Sequence, residues 1–273
     1  MDDKTLRKVQ LTQLEIAKEF KRICDENNLK YIMEGGTLIG AVRHEGFIPW
    51  DDDMDFSMPR EDYDRFFEIV KKNNNKKYEV IDWRDNNKYP HPFGKFVKKG
   101  TIYQEEKSEE SFGIYIDIFP WDNMPTKLME QRRNAFLMMS YRAIVRAKCG
   151  YITYRADGKF ILKKWLKNFP FIILSSVGTK KWFVEKYERM AIQYNKKETS
   201  EITLQCETNV YSWKADKKLL DNLILLQFED TEFCAPAIYD EYLTRSYGDY
   251  MTPPPENKRG NQHLIVKIDF GEE

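Results

Sequence analysis

The chain has 273 residues, 41% of them hydrophobic, enough for a sizeable core near the size at which single cores begin to divide. Its 44 basic and 44 acidic residues cancel, which by itself says nothing about partners; no nucleic-acid partner is expected. Met1-Asp2-Asp3-Lys4 carries acid where a signal peptide has basic and then apolar residues, and no apolar run is long enough to span a bilayer, so a cytoplasmic protein is expected. The four cysteines at 24, 149, 206 and 234 include no Cys-x-x-Cys pair and read as ordinary buried thiols.

Leu6, Val9, Gln13, Ala17, Phe20 and Cys24 recur at helical spacing, predicting a helix over residues 5–26 that stops at Asn27-Asn28. A strand over Leu29–Glu34 follows, then a turn at Gly35-Gly36, then a helix to about Arg43 with Thr37 as its N-cap. Residues 54–58 read as a strand ended by Pro59. Residues 61–72 read as a helix burying Tyr63, Phe66, Phe67 and Val70.

Further strands are predicted at 77–83, 93–98, 102–105 and 112–119, so the sheet is expected to lie within the first 120 residues. Residues 127–194 have a basic helical pattern with a break at Pro170. A strand near 225–229, a helix over 236–247 and a Pro253-Pro254-Pro255 tail complete the chain. Residues 1–125 are expected to form the core, with 126–273 packing on it in one compact unit.

Chemistry concentrates in Trp50-Asp51-Asp52-Asp53-Met54-Asp55-Phe56. On a strand Asp53 and Asp55 share a face about 6.5 Å apart. Their charges then repel by roughly 2 to 3 kcal/mol at an effective dielectric near 20. Asp117 lies in an otherwise apolar strand and is the natural third acid, since an isolated buried carboxylate is costly. Three such oxygens suit magnesium or manganese, making Asp53, Asp55 and Asp117 the candidate metal ligands and catalytic acids. Asp51, Asp53, Asp55 and Asp62 also have calcium-loop spacing, but Phe56 stands where that loop needs glycine. Gly35-Gly36-Thr37 opens a helix and offers backbone N–H groups to a phosphate.

The run Glu34-Gly-Gly-Thr-Leu-Ile-Gly-Ala-Val-Arg-His-Glu-Gly-Phe-Ile-Pro-Trp-Asp-Asp-Asp-Met-Asp-Phe56 resembles the signature of the LicD family of phosphocholine transferases, itself similar to fukutin-type transferases. The likeness extends through Pro92–Thr101, Ile116–Pro120 and Tyr239–Pro254, about half the chain. It implies an α+β nucleotidyltransferase-like fold of the polymerase beta superfamily, with a mixed sheet flanked by helices and a helical elaboration. It also implies transfer of phosphocholine from CDP-choline to a hydroxyl of a surface glycan or its lipid-linked precursor, with release of CMP.

In such a reaction the metal, held by Asp53 and Asp55, bridges diphosphate oxygens. Asp117 completes the metal shell or takes the hydroxyl proton, two roles the sequence leaves open. Arg43 and Lys95 are candidate phosphate clamps. Arg259 and His263, beyond the proline run, are candidates to close over the site, whereas His44 and His91 read as structural. A choline donor needs aromatic faces, and Trp50, Tyr103, Phe119 and Trp121 lie near the acids in sequence.

Between Gln131 and Lys186 there are thirteen Lys or Arg and two acids, Asp157 and Glu185, which points to an anionic partner. The lysine-rich apolar run over 160–174 suits peripheral contact with the inner membrane leaflet as well as it suits an ordinary solvated helix face. Two other functions use the same features: a nucleotidyltransferase releasing pyrophosphate from a nucleoside triphosphate, and a non-catalytic glycan- or membrane-binding protein.

Overall fold

The computed structural model describes the chain apart from residues 107–109, 152–154, 157–158, 205–209, 212, 261–263 and 272–273. The first helix, α1 (Asp3–Asn27), is capped by the Asp2 carboxylate, which accepts from the Thr5 N–H, and stops at Asn28 in the left-handed region. After it come β1 (Ile32–Met33), α2 (Gly35–His44), β2 (Asp55–Pro59), α3 (Arg60–Asn73), β3 (Tyr78–Ile81), β4 (Gly94–Lys98), β5 (Ile102–Glu105) and β6 (Tyr115–Asn123). The second half contributes α4 (Leu128–Lys148), β7 (Arg155–Ala156), β8 (Lys159–Phe160), α5 (Leu162–Leu174) and α6 (Lys180–Ile192). It ends with β9 (Glu201–Leu204), β10 (Lys214–Asp216), β11 (Leu223–Phe228), β12 (Thr231–Pro236), α7 (Tyr239–Tyr247) and β13 (Ile265–Asp269).

The central sheet has the order β1-β2-β6-β4-β3. Among the described strands only β2 and β6 run parallel, and their register sets Asp55 beside Asp117. The sheet is mixed and the helices pack around it, an α+β nucleotidyltransferase-like architecture.

The sheet is not confined to the first 120 residues. From the second half β9 pairs with the end of β6, at Trp121, Asp122 and Asn123, and β10 pairs with β9. The predicted strand at 102–105 forms, but it pairs with β13 in a separate ribbon. The single strand expected near 225–229 is one arm of the β11–β12 hairpin. Both departures involve partners more than a hundred residues away or a turn without glycine, at Glu229-Asp230, so local pattern did not mark them. The helix α5 runs through Pro170 instead of breaking there, giving up the one backbone bond that proline cannot donate.

One sheet face packs on α1 and α3 through Phe20, Phe56, Phe66, Phe96, Ile116 and Ile118, all fully buried. A side chain of this size contributes about 1.5–3 kcal/mol on burial, so this layer holds the strands that carry the acids. A second apolar cluster joins Trp83, Tyr89 and Met124 to Met138, Ile144 and Val145 of α4 and Phe183, Val184 and Tyr187 of α6. Beside it Arg60 forks onto Asp122 at 2.9 and 2.6 Å and reaches Glu188 of α6 at 3.2 Å. Cys24 is buried, whereas Cys149 and Cys234 are half-buried free thiols; Cys206 lies outside the described residues.

Candidate active site

The sheet face opposite α1 and α3 carries the acids. Paired residues on neighbouring strands project to one side, so Lys95 of β4, Asp117 of β6 and Asp55 of β2 form a row across three strands. Glu34 joins them at the end of β1, its N–H donating to the Asp55 carbonyl at 3.0 Å.

Asp53 precedes β2 in chain without regular structure, since the strand begins only at Asp55. This loop is fastened from beneath by α1. The buried amides of Gln10 and Gln13 donate to the Asp51 and Asp52 carbonyls at 2.9 and 3.1 Å, and the Tyr103 hydroxyl donates to the Asp52 carbonyl at 3.2 Å. The carboxylates of Asp51, Asp52 and Asp53 lie within 4.8 Å of one another. Burial, then the charges of Asp53, Asp117, Asp51 and Glu34, push the Asp55 carboxyl well above the usual carboxylate range.

The turn expected at Gly35-Gly36 is the first turn of α2. Its N-cap is Glu34, whose carboxylate accepts from the Gly35 N–H at 3.2 Å; Thr37 is not the cap. The Thr37 hydroxyl instead accepts from the Asp55 N–H at 2.8 Å, tying the helix to the strand. Gly35 has a φ of +51°, which favours glycine, and a Cβ on Gly36 would lie 2.5 Å from Asp51 Oδ2. The two glycines thus let α2 start directly against the acids.

These residues open into a cavity of about 640 Å³, whose lining includes Glu34, Gly35, Gly36, Asp51, Asp53 and Asp55 together with Arg43, Trp50, Phe119, Trp213, Tyr247 and Tyr250. Arg43 donates to the Tyr250 carbonyl at 2.8 Å. Burial and the charge of Arg259 lower its pKa, so the two cations lie within electrostatic reach. Arg259 stands over the Trp50 ring, 4.9 Å from its centroid, and donates to the Pro254 carbonyl. His263 lies outside the described residues.

Lys95 does not line this cavity. Its ammonium is buried 2.7 Å from Asp117 Oδ1 and 3.2 Å from the centre of the Tyr115 ring, and it faces a small separate space beside Tyr89 and Tyr103. Its partner is therefore a carboxylate of its own chain, which replaces the expected phosphate contact. Asp117, 8% exposed, sits beside Asp55 but does not line the cavity either.

Of the four aromatic residues expected near a donor, Trp50 and Phe119 line the cavity. Tyr103 is buried against the acidic loop, and Trp121 is buried donating to Ser57 Oγ at 2.8 Å. Trp213 and Tyr247 supply walls that local sequence did not indicate, with ring centroids 5.3 Å apart and planes at 70°. Behind them Trp213 donates to the Tyr242 hydroxyl, Tyr242 donates to Glu34, and Glu34 accepts from Ser57 at 2.7 Å. Glu34 is thus held by hydroxyl donors. The one sequence signal for the α1 contacts was a polar residue, Gln13, at a core position of that helix.

The LicD/FKTN/FKRP nucleotidyltransferase domain matches residues 28–152, a span that contains the glycines, the acidic loop, β2, β4 and β6. Over 270 residues the chain is 30% identical to the lipopolysaccharide cholinephosphotransferase LicD of Haemophilus influenzae, covering 95% of this chain and 96% of that protein. A shorter likeness, 43% over 60 residues, is to an uncharacterized protein of Rickettsia typhi, covering 22% of this chain and 19% of that one. With the acids and glycines of the motif gathered at one cavity and the alignment running almost end to end, the chain belongs to the LicD family of phospho-substituent transferases.

Proposed function

We propose that this enzyme transfers phosphocholine from CDP-choline to a hydroxyl of a glycan or lipid-linked glycan precursor, with release of CMP. The observation that carries this reading is one cavity lined by carboxylates, an arginine and aromatic walls. Such a lining matches two parts of the donor: a diphosphate, met by a carboxylate-held metal and the arginine, and a quaternary ammonium, met by the aromatic walls. The end-to-end relative is named as a cholinephosphotransferase acting on lipopolysaccharide, which supports the same choice of group and acceptor class.

The donor set is all hard oxygen, which fits magnesium or manganese, and so many acids need a cation. Asp53 and Asp55 are the proposed ligands, with Asp117 adjoining. Asp51, Asp52 and Asp53 form a second candidate set because their oxygens already converge. When bound, the metal neutralises charge on the diphosphate.

The acceptor oxygen attacks the phosphorus that carries choline, and the bond from that phosphorus to the bridging oxygen breaks as CMP leaves. Arg43 is proposed to meet charge growing on the departing phosphate, with Arg259 within electrostatic reach. Asp117, held by Lys95 and adjoining Asp55, is proposed to complete the metal shell or to take the hydroxyl proton. Trp213 and Tyr247 are the proposed faces for the trimethylammonium group.

The test is incubation with CDP-choline and a glycan acceptor, with and without magnesium, following CMP. Metal-dependent CMP release supports the proposal. Pyrophosphate release from CTP in its place assigns the same acids to a nucleotidyltransferase, and absence of both products assigns the chain a binding role.

A further inference from the structure

The helix α5 has no buried residue. Leu162, Leu166, Phe169 and Ile173 recur at steps of four, three and four, a single stripe along one side of a helix. They are 59, 57, 41 and 55% exposed. Leu174 and Val177, 46 and 62% exposed, extend the apolar surface past the helix end. The opposite side is anchored, since Phe171 packs on the cluster formed by α4 and α6. The stripe therefore faces outward by construction.

Charge identifies what covers it. Lys163, Lys164 and Lys167 are exposed round the helix from the stripe, Lys181 follows, and residues 162–184 contain no Asp or Glu. A second copy meeting this face would bring two cationic regions together, each with thirteen Lys or Arg and two acids between Gln131 and Lys186. An anionic bilayer surface satisfies both features, taking the apolar stripe below its headgroups while the lysines meet lipid phosphates. Among the described residues no helix is long and apolar enough to cross a membrane.

We infer that α5 is an interfacial anchor that docks the enzyme on anionic lipid through Leu162, Leu166, Phe169 and Ile173, with its lysines at the headgroups. This inference does not depend on which group the cavity transfers. It explains why an apolar stripe is left open in a chain whose formal charge is zero: the cationic character is concentrated in one region.

The full chain should float with phosphatidylcholine vesicles containing phosphatidylglycerol, and at least about tenfold less with phosphatidylcholine alone or at high salt. The double substitution Leu166→Glu and Ile173→Glu should abolish flotation. CMP release towards a soluble acceptor should be unchanged, a control independent of membrane. Lys163→Gln, Lys164→Gln and Lys167→Gln together should remove the salt-sensitive part of binding while leaving the apolar stripe intact. Failure of the wild type to float on anionic vesicles overturns the inference, as does flotation that neither variant alters. A wild-type dimer in solution that the double variant converts to monomer also overturns it, assigning the face to a second copy.

Discussion

Lys95 Nζ lies 2.7 Å from Asp117 Oδ1 across adjacent antiparallel strands, with both residues nearly inaccessible to solvent. The acid that seemed to need a metal thus already has one cation. Its neighbour Asp55, one strand away, is surrounded by acids.

Breaking a buried pair from one side leaves a stranded charge, at a cost of about 3–5 kcal/mol. Lys95→Met should therefore destabilise the fold by about that amount in urea unfolding. Adding Asp117→Asn should restore much of the loss. Additive losses in the double variant would show that the two groups do not act as a pair.

The acids differ in what they do for the fold and for turnover. Asp55→Asn relieves repulsion and should leave the metal-free protein as stable or more stable, while CMP release falls by about 100-fold or more. Asp53→Asn and Asp117→Asn should depress turnover to a similar degree. Magnesium should raise the melting temperature of the wild type but not of Asp53→Asn or Asp55→Asn. If Asp51→Asn and Asp52→Asn, and not Asp55→Asn, abolish that rise, the cation belongs to the Asp51–Asp53 set.

Gly36 makes room for Asp51. A methyl group there would meet Asp51 Oδ2 at 2.5 Å, so Gly36→Ala must displace a carboxylate that is itself buried. Turnover should drop by about tenfold or more, and stability by about 1–3 kcal/mol. The second change Asp51→Ala should recover the stability but not the turnover. Thermal melts read alongside CMP release distinguish the two effects.

Donor choice should depend on residues that lie far from the acids in sequence. Trp213→Ala and Tyr247→Ala each remove an aromatic face and should raise KM for CDP-choline about 3- to 30-fold, corresponding to about 0.5–2 kcal/mol. The rise for CDP-ethanolamine should be smaller. Equal increases for both donors would assign these rings to general shape and not to the quaternary ammonium.

Acid sensitivity of the fold has an identifiable contributor in Glu15 of α1. Burial raises its pKa, but bonds from Lys77, Lys98 and Tyr78 outweigh that and bring it down to about 2 from an ordinary 4.5. A carboxyl lowered in the folded state stabilises above its unfolded pKa and loses that contribution as pH falls towards its folded value. Stability should therefore decline between about pH 5 and 2 more steeply in the wild type than in Glu15→Gln, as measured by urea midpoints across that range.

Much of this site can be read along the chain because its parts are local. The double glycine, the alternation of acids with Trp50, Met54 and Phe56, and the lone acid of the Ile114–Ile118 strand are all visible within short windows. The N-cap could not be separated from Thr37 by pattern alone, because a buried Glu34 is stabilised there by Tyr242 and Ser57, partners remote in sequence.

The sequence by itself determined the fold class, the family and the acids, since periodicity, turn chemistry and a dense motif are properties of neighbouring residues. Only the tertiary structure decided that Lys95 serves Asp117, that Gln10 and Gln13 hold the acidic loop, and that Trp213 and Tyr247 line one cavity with Asp53 and Asp55. Those relationships arise when strands and helices more than twenty residues apart are brought into register. Burial then selects the partner of each polar group, and no local pattern records that choice.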